Sequence, residues 1–122
     1  MRFIIPLFAI AIATPAIAMQ SKPVPIAPEE WLSPDDRTCT FEDCHKDAAI
    51  DFTLYVMQDG RVSGCRTDES SGSRYVDRNI CRLLVRSAKF EPATDKDGLP
   101  TTGYYRSSVQ LITKPTQSQT KP

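Results

Sequence analysis

Between Ile50 and Ala93 the spacing of apolar side chains changes from two to between three and four, and few folds accommodate that change. Ile50-Asp51-Phe52-Thr53-Leu54-Tyr55-Val56 alternates, so Ile50, Phe52, Leu54 and Val56 share one face of a strand. Asp59-Gly60 then turns the chain, the glycine supplying the positive φ of a tight hairpin, and Arg61 to Asp68 is expected to return antiparallel. Ser70-Ser71-Gly72-Ser73 ends the hairpin and offers Ser73 as an N-cap, with Asp77 in the first turn, where the helix dipole favours a negative charge. Val76, Ile80, Leu83, Leu84 and Ser87-Ala88 then recur at helical spacing and predict one buried stripe.

The cysteines bear on how these pieces dock. A two-residue turn at Asp59-Gly60 pairs Gln58 with Arg61 and Leu54 with Cys65, which puts Cys65 on the apolar face. Cys81 lies beside Ile80 and Leu84 at the edge of the helical stripe, so a Cys65–Cys81 bridge would staple helix to sheet. That register turns Val62 the wrong way; a bulge at Ser63-Gly64 would bring both Val62 and Cys65 inward. Cys39 and Cys44 sit close together in a polar stretch with His45 adjacent. A Cys/Cys/His set suggests zinc, but a structural site needs four ligands and only one local set is present. Of the three pairings open to four cysteines, Cys39–Cys44 with Cys65–Cys81 is the reading adopted. The expected role is to hold the fold, with no metal or other cofactor.

The chain begins with the short positive Met1-Arg2, an apolar run from Phe3 to Ala13 and the small residues Ala16-Ile17-Ala18. This is the pattern of a signal peptide over 1–18, which implies export and an oxidising compartment, the periplasm in a Gram-negative bacterium. The alternative is an uncleaved anchor facing the periplasm from the inner membrane. At ~1.5 Å per residue, Phe3 to Met19 would reach about 25 Å as a helix, short of the ~30 Å hydrocarbon layer. Residues 19–34 hold Pro23, Pro25, Pro28 and Pro34 and read as an extended spacer, with Trp31-Leu32 able to tuck against the domain.

The expected domain spans 35–113. Lys89-Phe90-Glu91-Pro92-Ala93 leaves the helix as a short extended piece, Asp95-Lys96-Asp97-Gly98 is a turn, and Gly103 to Thr113 reads as one long last strand. Tyr105, Ser107, Val109 and Leu111 would share one face of it, and Tyr104, Arg106, Ser108, Gln110 and Ile112 the other. Residues 114–122 lack apolar side chains and read as a disordered tail. So small a domain has a marginal core, and covalent staples are common at that size.

Charge and motif content narrow the function classes. Fifteen basic against 15 acidic side chains among 122 residues give no reason to expect nucleic acid or an anionic surface as partner. With 1 histidine, no Cys-x-x-Cys, no Gly-x-Ser-x-Gly and no glycine-rich phosphate loop, the chain does not read as an enzyme. The rival from that class is a Cys/His metal or thiol-redox protein built on Cys44 and His45.

A strand, an Asp-Gly turn, Val62, then Ser70-Ser71-Gly72, Val76-Asp77, a basic helix, Phe90-Glu91-Pro92-Ala93 and an Asp-Gly-Leu-Pro turn before a last strand resembles the C-terminal domain of the TonB energy transducers. The likeness covers about Ile50 to Ile112, and Cys65 with Cys81 looks like the cysteine pair of alphaproteobacterial members. The resemblance implies an α+β fold, a three-stranded antiparallel sheet packed on one main helix. It also implies a protein that links an inner-membrane motor to TonB-dependent outer-membrane receptors, the last strand accepting a receptor peptide as an added strand. On that reading Tyr104, Arg106, Ser108, Gln110 and Ile112 meet the partner, an envelope protein, and a homodimer through the same edge is also compatible. The anchored transducer is the alternative to an exported binding module.

Overall fold

The computed structural model describes residues 2–11 and 20–115, so the Ala16-Ile17-Ala18 site and the tail beyond residue 115 lie outside the described residues. In chain order the elements are β1 (Val24–Pro25), a 3-10 turn (Pro28–Glu30), β2 (Thr38–Thr40), β3 (Ala49–Val56), β4 (Val62–Glu69), α1 (Arg74–Ser87), β5 (Phe90–Glu91), β6 (Ala93–Thr94), β7 (Pro100–Thr101), β8 (Gly103–Gln110) and β9 (Ile112–Lys114). The fold is mixed α+β. Its main sheet is antiparallel in the order β4-β3-β8, with α1 lying across β3 and β4. Three two-stranded pairings surround it: β1 with β5, β6 with β7, and β2 with β9, the last of these parallel.

The alternation of β3 does what its spacing predicts. Ile50, Phe52, Leu54 and Val56 are all at most 2% exposed and meet Ile80 and Leu84 of α1. Burying each such side chain contributes about 1.5–3 kcal/mol relative to leaving it in water. Ser73 caps α1, its hydroxyl accepting from the Val76 N–H at 3.3 Å.

The hairpin is one residue longer in its loop than a two-residue turn. Met57 rather than Gln58 faces Arg61, its N–H donating to the Arg61 carbonyl at 2.7 Å, and Gly60 takes φ +84°. A side chain at Gly60 would also collide with the Phe90 carbonyl, while the Phe90 N–H donates to the Gly60 carbonyl at 3.1 Å. The register then shifts between Tyr55 and Val56, so Leu54 pairs with Cys65 and Val56 with Val62. The irregularity at Ser63-Gly64 thus turns both Val62 and Cys65 inward. Cys65 and Cys81 form a disulfide with Cα atoms 5.5 Å apart, and Cys39 with Cys44 a second, with Cα atoms 6.1 Å apart.

Two further expectations need correction. Residues 20–34 are not an extended spacer throughout: Ser21 bridges Thr94, Val24 pairs with Glu91 and Pro25 with Phe90, while Trp31 and Leu32, each 8% exposed, tuck against the domain as the sequence allowed. Proline dihedrals suit an edge strand as well as a polyproline helix, and here the apolar surface around Phe90 and Tyr105 captures the segment. The long last strand also breaks. Leu111, 4% exposed, interrupts it, and Ile112 onward pairs with β2. Leu111 keeps its place on the inward face, but β3 does not extend beyond Ala49 to pair with the residues that follow, and β2 takes them instead.

Candidate functional site at the outer edge of the last long strand

The Leu111 N–H donates to the Ala48 carbonyl at 2.9 Å, and residues 48 and 111 stand opposite one another in the β3–β8 register. In an antiparallel ladder that fixes the direction of every backbone group along the strand. Tyr105, Ser107 and Val109 turn theirs inward to β3; Tyr104, Arg106, Ser108 and Gln110 turn theirs outward.

The outward row is covered at both ends and open between them. The Gln110 carbonyl accepts from the Arg37 guanidinium at 3.4 Å, and the Ile112 N–H donates to the Arg37 carbonyl at 2.8 Å. At the other end a Cβ on Gly103 would lie 2.9 Å from Pro23, so the N-terminal segment passes hard against the start of β8. From Tyr104 to Ser108 no backbone partner lies on the outer side among the described residues. Of the five residues expected to meet a partner, Tyr104, Arg106 and Ser108 therefore share the open stretch, while Gln110 and Ile112 already belong to the contact with residues 37–40.

The two faces beside this edge differ. On the helix side a groove of about 310 Å³ runs along Tyr105, Ser107 and Val109, walled by Pro28 and Trp31 and floored by Phe52 and Leu84. Trp31, Phe90 and Tyr105 hold its wall in place: the Phe90 ring lies 5.1 Å from each of the other two, and the Trp31 indole N–H donates to the Ile26 carbonyl at 2.9 Å. On the other side the sheet is polar. The Thr53 hydroxyl donates to Asp68 at 2.6 Å and Arg66 Nε to the same carboxylate at 2.8 Å, with a further Arg66 nitrogen 3.3 Å from the Tyr55 hydroxyl. The Thr53 hydrogen bond, then that from Arg66, holds Asp68 below the usual carboxylate range, and Asp68 in turn raises Arg66.

No family model, curated protein or solved structure matches this chain. The capability of the edge therefore rests on its own geometry.

The remaining candidates are placed elsewhere. Cys39 and Cys44 are bonded to each other, His45 is exposed, and the described residues contain no cluster of His, Cys, Asp or Glu arranged to hold a metal. Sequence reasoning missed the Phe90 contact with Trp31 and Tyr105. The one available signal was three aromatic residues, 31, 90 and 105, in otherwise polar or Pro-rich surroundings.

Proposed function

We propose that this protein is an exported, periplasmic TonB-like binding module that takes an extended segment of an envelope protein onto the outer edge of β8, in the service of outer-membrane receptor energisation. The observation that carries the reading is the row of outward N–H and C=O groups from Tyr104 to Ser108, bounded at both ends and without a protein partner among the described residues. Such an edge is a template for an added strand: main-chain hydrogen bonds supply affinity and the alternating side chains supply selectivity. The order of motifs from Ile50 to Ile112, which resembles the TonB C-terminal domain, supports this class of partner.

The N-terminal segment fits export. Phe3, Ile4, Ile5, Leu7, Phe8 and Ile10 are 81–96% exposed, an apolar run that the domain does not cover. Water does not favour such a surface, so the segment is either removed or placed in a membrane. No helix among the described residues is long and apolar enough to cross one. The sequence of the mature N-terminus separates the two: Met19 or Gln20 at the start means a cleaved signal, and Met1 means an anchor.

Photoreactive residues placed at Tyr104, Arg106 and Ser108 test the partner in cells. The expected result is specific capture of an outer-membrane barrel at these three positions and none from Tyr75, which is exposed on α1. Equal labelling from both sites would overturn the assignment of the edge.

A further inference from the structure

The 15 basic and 15 acidic side chains balance over the whole chain but are not evenly mixed over its surface. Along α1, Arg74, Arg78, Arg82 and Arg86 recur every fourth residue, and all four are exposed. At ~1.5 Å per residue they form a row about 18 Å long on the outward face, and the exposed Lys89 follows just beyond the helix. The only acid on α1 is Asp77, which is buried and engaged by Ser70 and Ser71. Asp68 and Glu69 of β4, Glu91 of β5, and Glu42, Asp43 and Asp47 around the His45 that lies against Gly72 are the acids of the neighbouring segments. None of them pairs with the row: among the described residues the ion pairs join Arg61 to Asp59 and Arg66 to Asp68, and Arg82 donates to the neutral Asn79 amide at 2.6 Å. Like charges four residues apart oppose helix formation, and Arg74 in the first turn also opposes the helix dipole. The row therefore does not serve the stability of α1.

We propose that the outward face of α1 docks the domain on a bilayer that contains anionic phospholipid. A guanidinium group binds phosphate oxygens through two parallel hydrogen bonds, and a row without interleaved acids matches a surface of repeated phosphates. Tyr75, 76% exposed beside Arg74 and Arg78, has the amphipathic ring suited to headgroup level. Ile80 and Leu84 are already packed against the sheet, so the helix lies on the headgroups and does not insert. Next to Lys89, whose carbonyl accepts from the Ile26 N–H at 2.9 Å, Ile26 is 47% exposed and adds aliphatic surface beside the last cation. The apolar run of residues 3–10 favours a membrane over an acidic protein as the occupant. Ser21 is fixed on Thr94, and the chain from Ile10 to Ser21 spans at most about 40 Å even when fully stretched, so while that run sits in a bilayer the domain stays near its surface. Because α1 packs on β4 and β3 while β8 forms the opposite side of the sheet, docking leaves the edge from Tyr104 to Ser108 open. The inference does not depend on what that edge takes.

The test sediments the full-length protein with vesicles of phosphatidylcholine alone and of phosphatidylcholine mixed with an equal part of phosphatidylglycerol. Residues 3–10 contribute to both, so the quantity read is the ratio of the two partition coefficients. That ratio is expected to be on the order of a hundredfold at low salt and to fall as salt is added. Arg78→Gln and Arg82→Gln should each lower it about fivefold, while Lys96→Gln, which removes an exposed cation from a distant turn, leaves it unchanged. The indole introduced by Tyr75→Trp should shift its emission to the blue on the anionic vesicles and not on the neutral ones. Equal partitioning onto both vesicles, or an anionic preference that survives Arg78→Gln with Arg82→Gln while circular dichroism shows the helix intact, overturns the proposal. Binding of soluble polyglutamate through the same arginines, with no preference for anionic vesicles, overturns it in favour of an acidic protein partner.

Discussion

The carboxylate of Asp77, buried in the first turn of α1, gathers the hydroxyls of Ser70 and Ser71 and the Ser71 N–H, the last at 2.9 Å. Its position suits the helix dipole, yet its larger task is to fold the Ser70-Ser71 turn onto the helix start. Asp77→Ala leaves the buried Ser71 hydroxyl and N–H without this acceptor, while the exposed Ser70 hydroxyl turns to water, and is expected to cost about 2 kcal/mol in urea unfolding; Ser73→Ala, which removes only the cap, should cost about 1 kcal/mol. Asp68 acts on the opposite face. Its folded-state pKa is depressed, so its stabilising contribution is present above the unfolded pKa and is lost as pH falls through the folded value. An NMR titration should find the Asp68 carboxyl ionising below a free aspartate, and Thr53→Val should move it upward. Spacing alone identified Ser73 as a cap. It could not identify Asp68 as the residue in a second β4 irregularity, between the Glu69 and Thr67 pairings, because that irregularity is set by how β4 pairs with the start of β3.

The N-terminal segment and the disulfides hold the elements together in different ways. Val24–Pro25 adds a short strand to β5 and Trp31 closes over Phe90 and Tyr105, so Trp31→Ala should cost about 3 kcal/mol and speed amide exchange in residues 21–32. A free spacer would show neither effect. Replacing Cys65 and Cys81 together by Ala removes a link across 16 positions, with an expected loss of about 3 kcal/mol in the chain-entropy account of cross-links. The hairpin, the helix, its cap and the helix-to-sheet bridge were legible because each rests on a local period or a pair of facing positions. The docking of residues 20–34 was not. Four prolines hide any alternation, and the partners of Val24 and Pro25 lie at Glu91 and Phe90, far along the chain. The break at Leu111 was hidden for a similar reason: the alternation continues through it, while the partner of Ile112 is Thr38.

Taken as one molecule, the protein is a helix-covered sheet whose outermost long strand is closed at both ends and open in between. Proline scanning distinguishes the two sides of that strand. Ser108→Pro removes an outward N–H and should change stability by less than about 1 kcal/mol while abolishing capture of a partner; Ser107→Pro removes an inward one and should cost about 3 kcal/mol or more. The existence of a last strand and its face assignment were readable in the sequence, but which part of its edge stays free was not, because Pro23 and Arg37 reach it from distant positions. Amide hydrogen exchange along β8 tests the central claim most directly. The account predicts fast exchange at Tyr104, Arg106 and Ser108 and slow exchange at Tyr105, Ser107 and Val109 in the free protein, with the fast set becoming slow when a partner strand binds. Uniform protection of all six amides in the isolated monomer, or a fast set left unchanged in the complex, would contradict it.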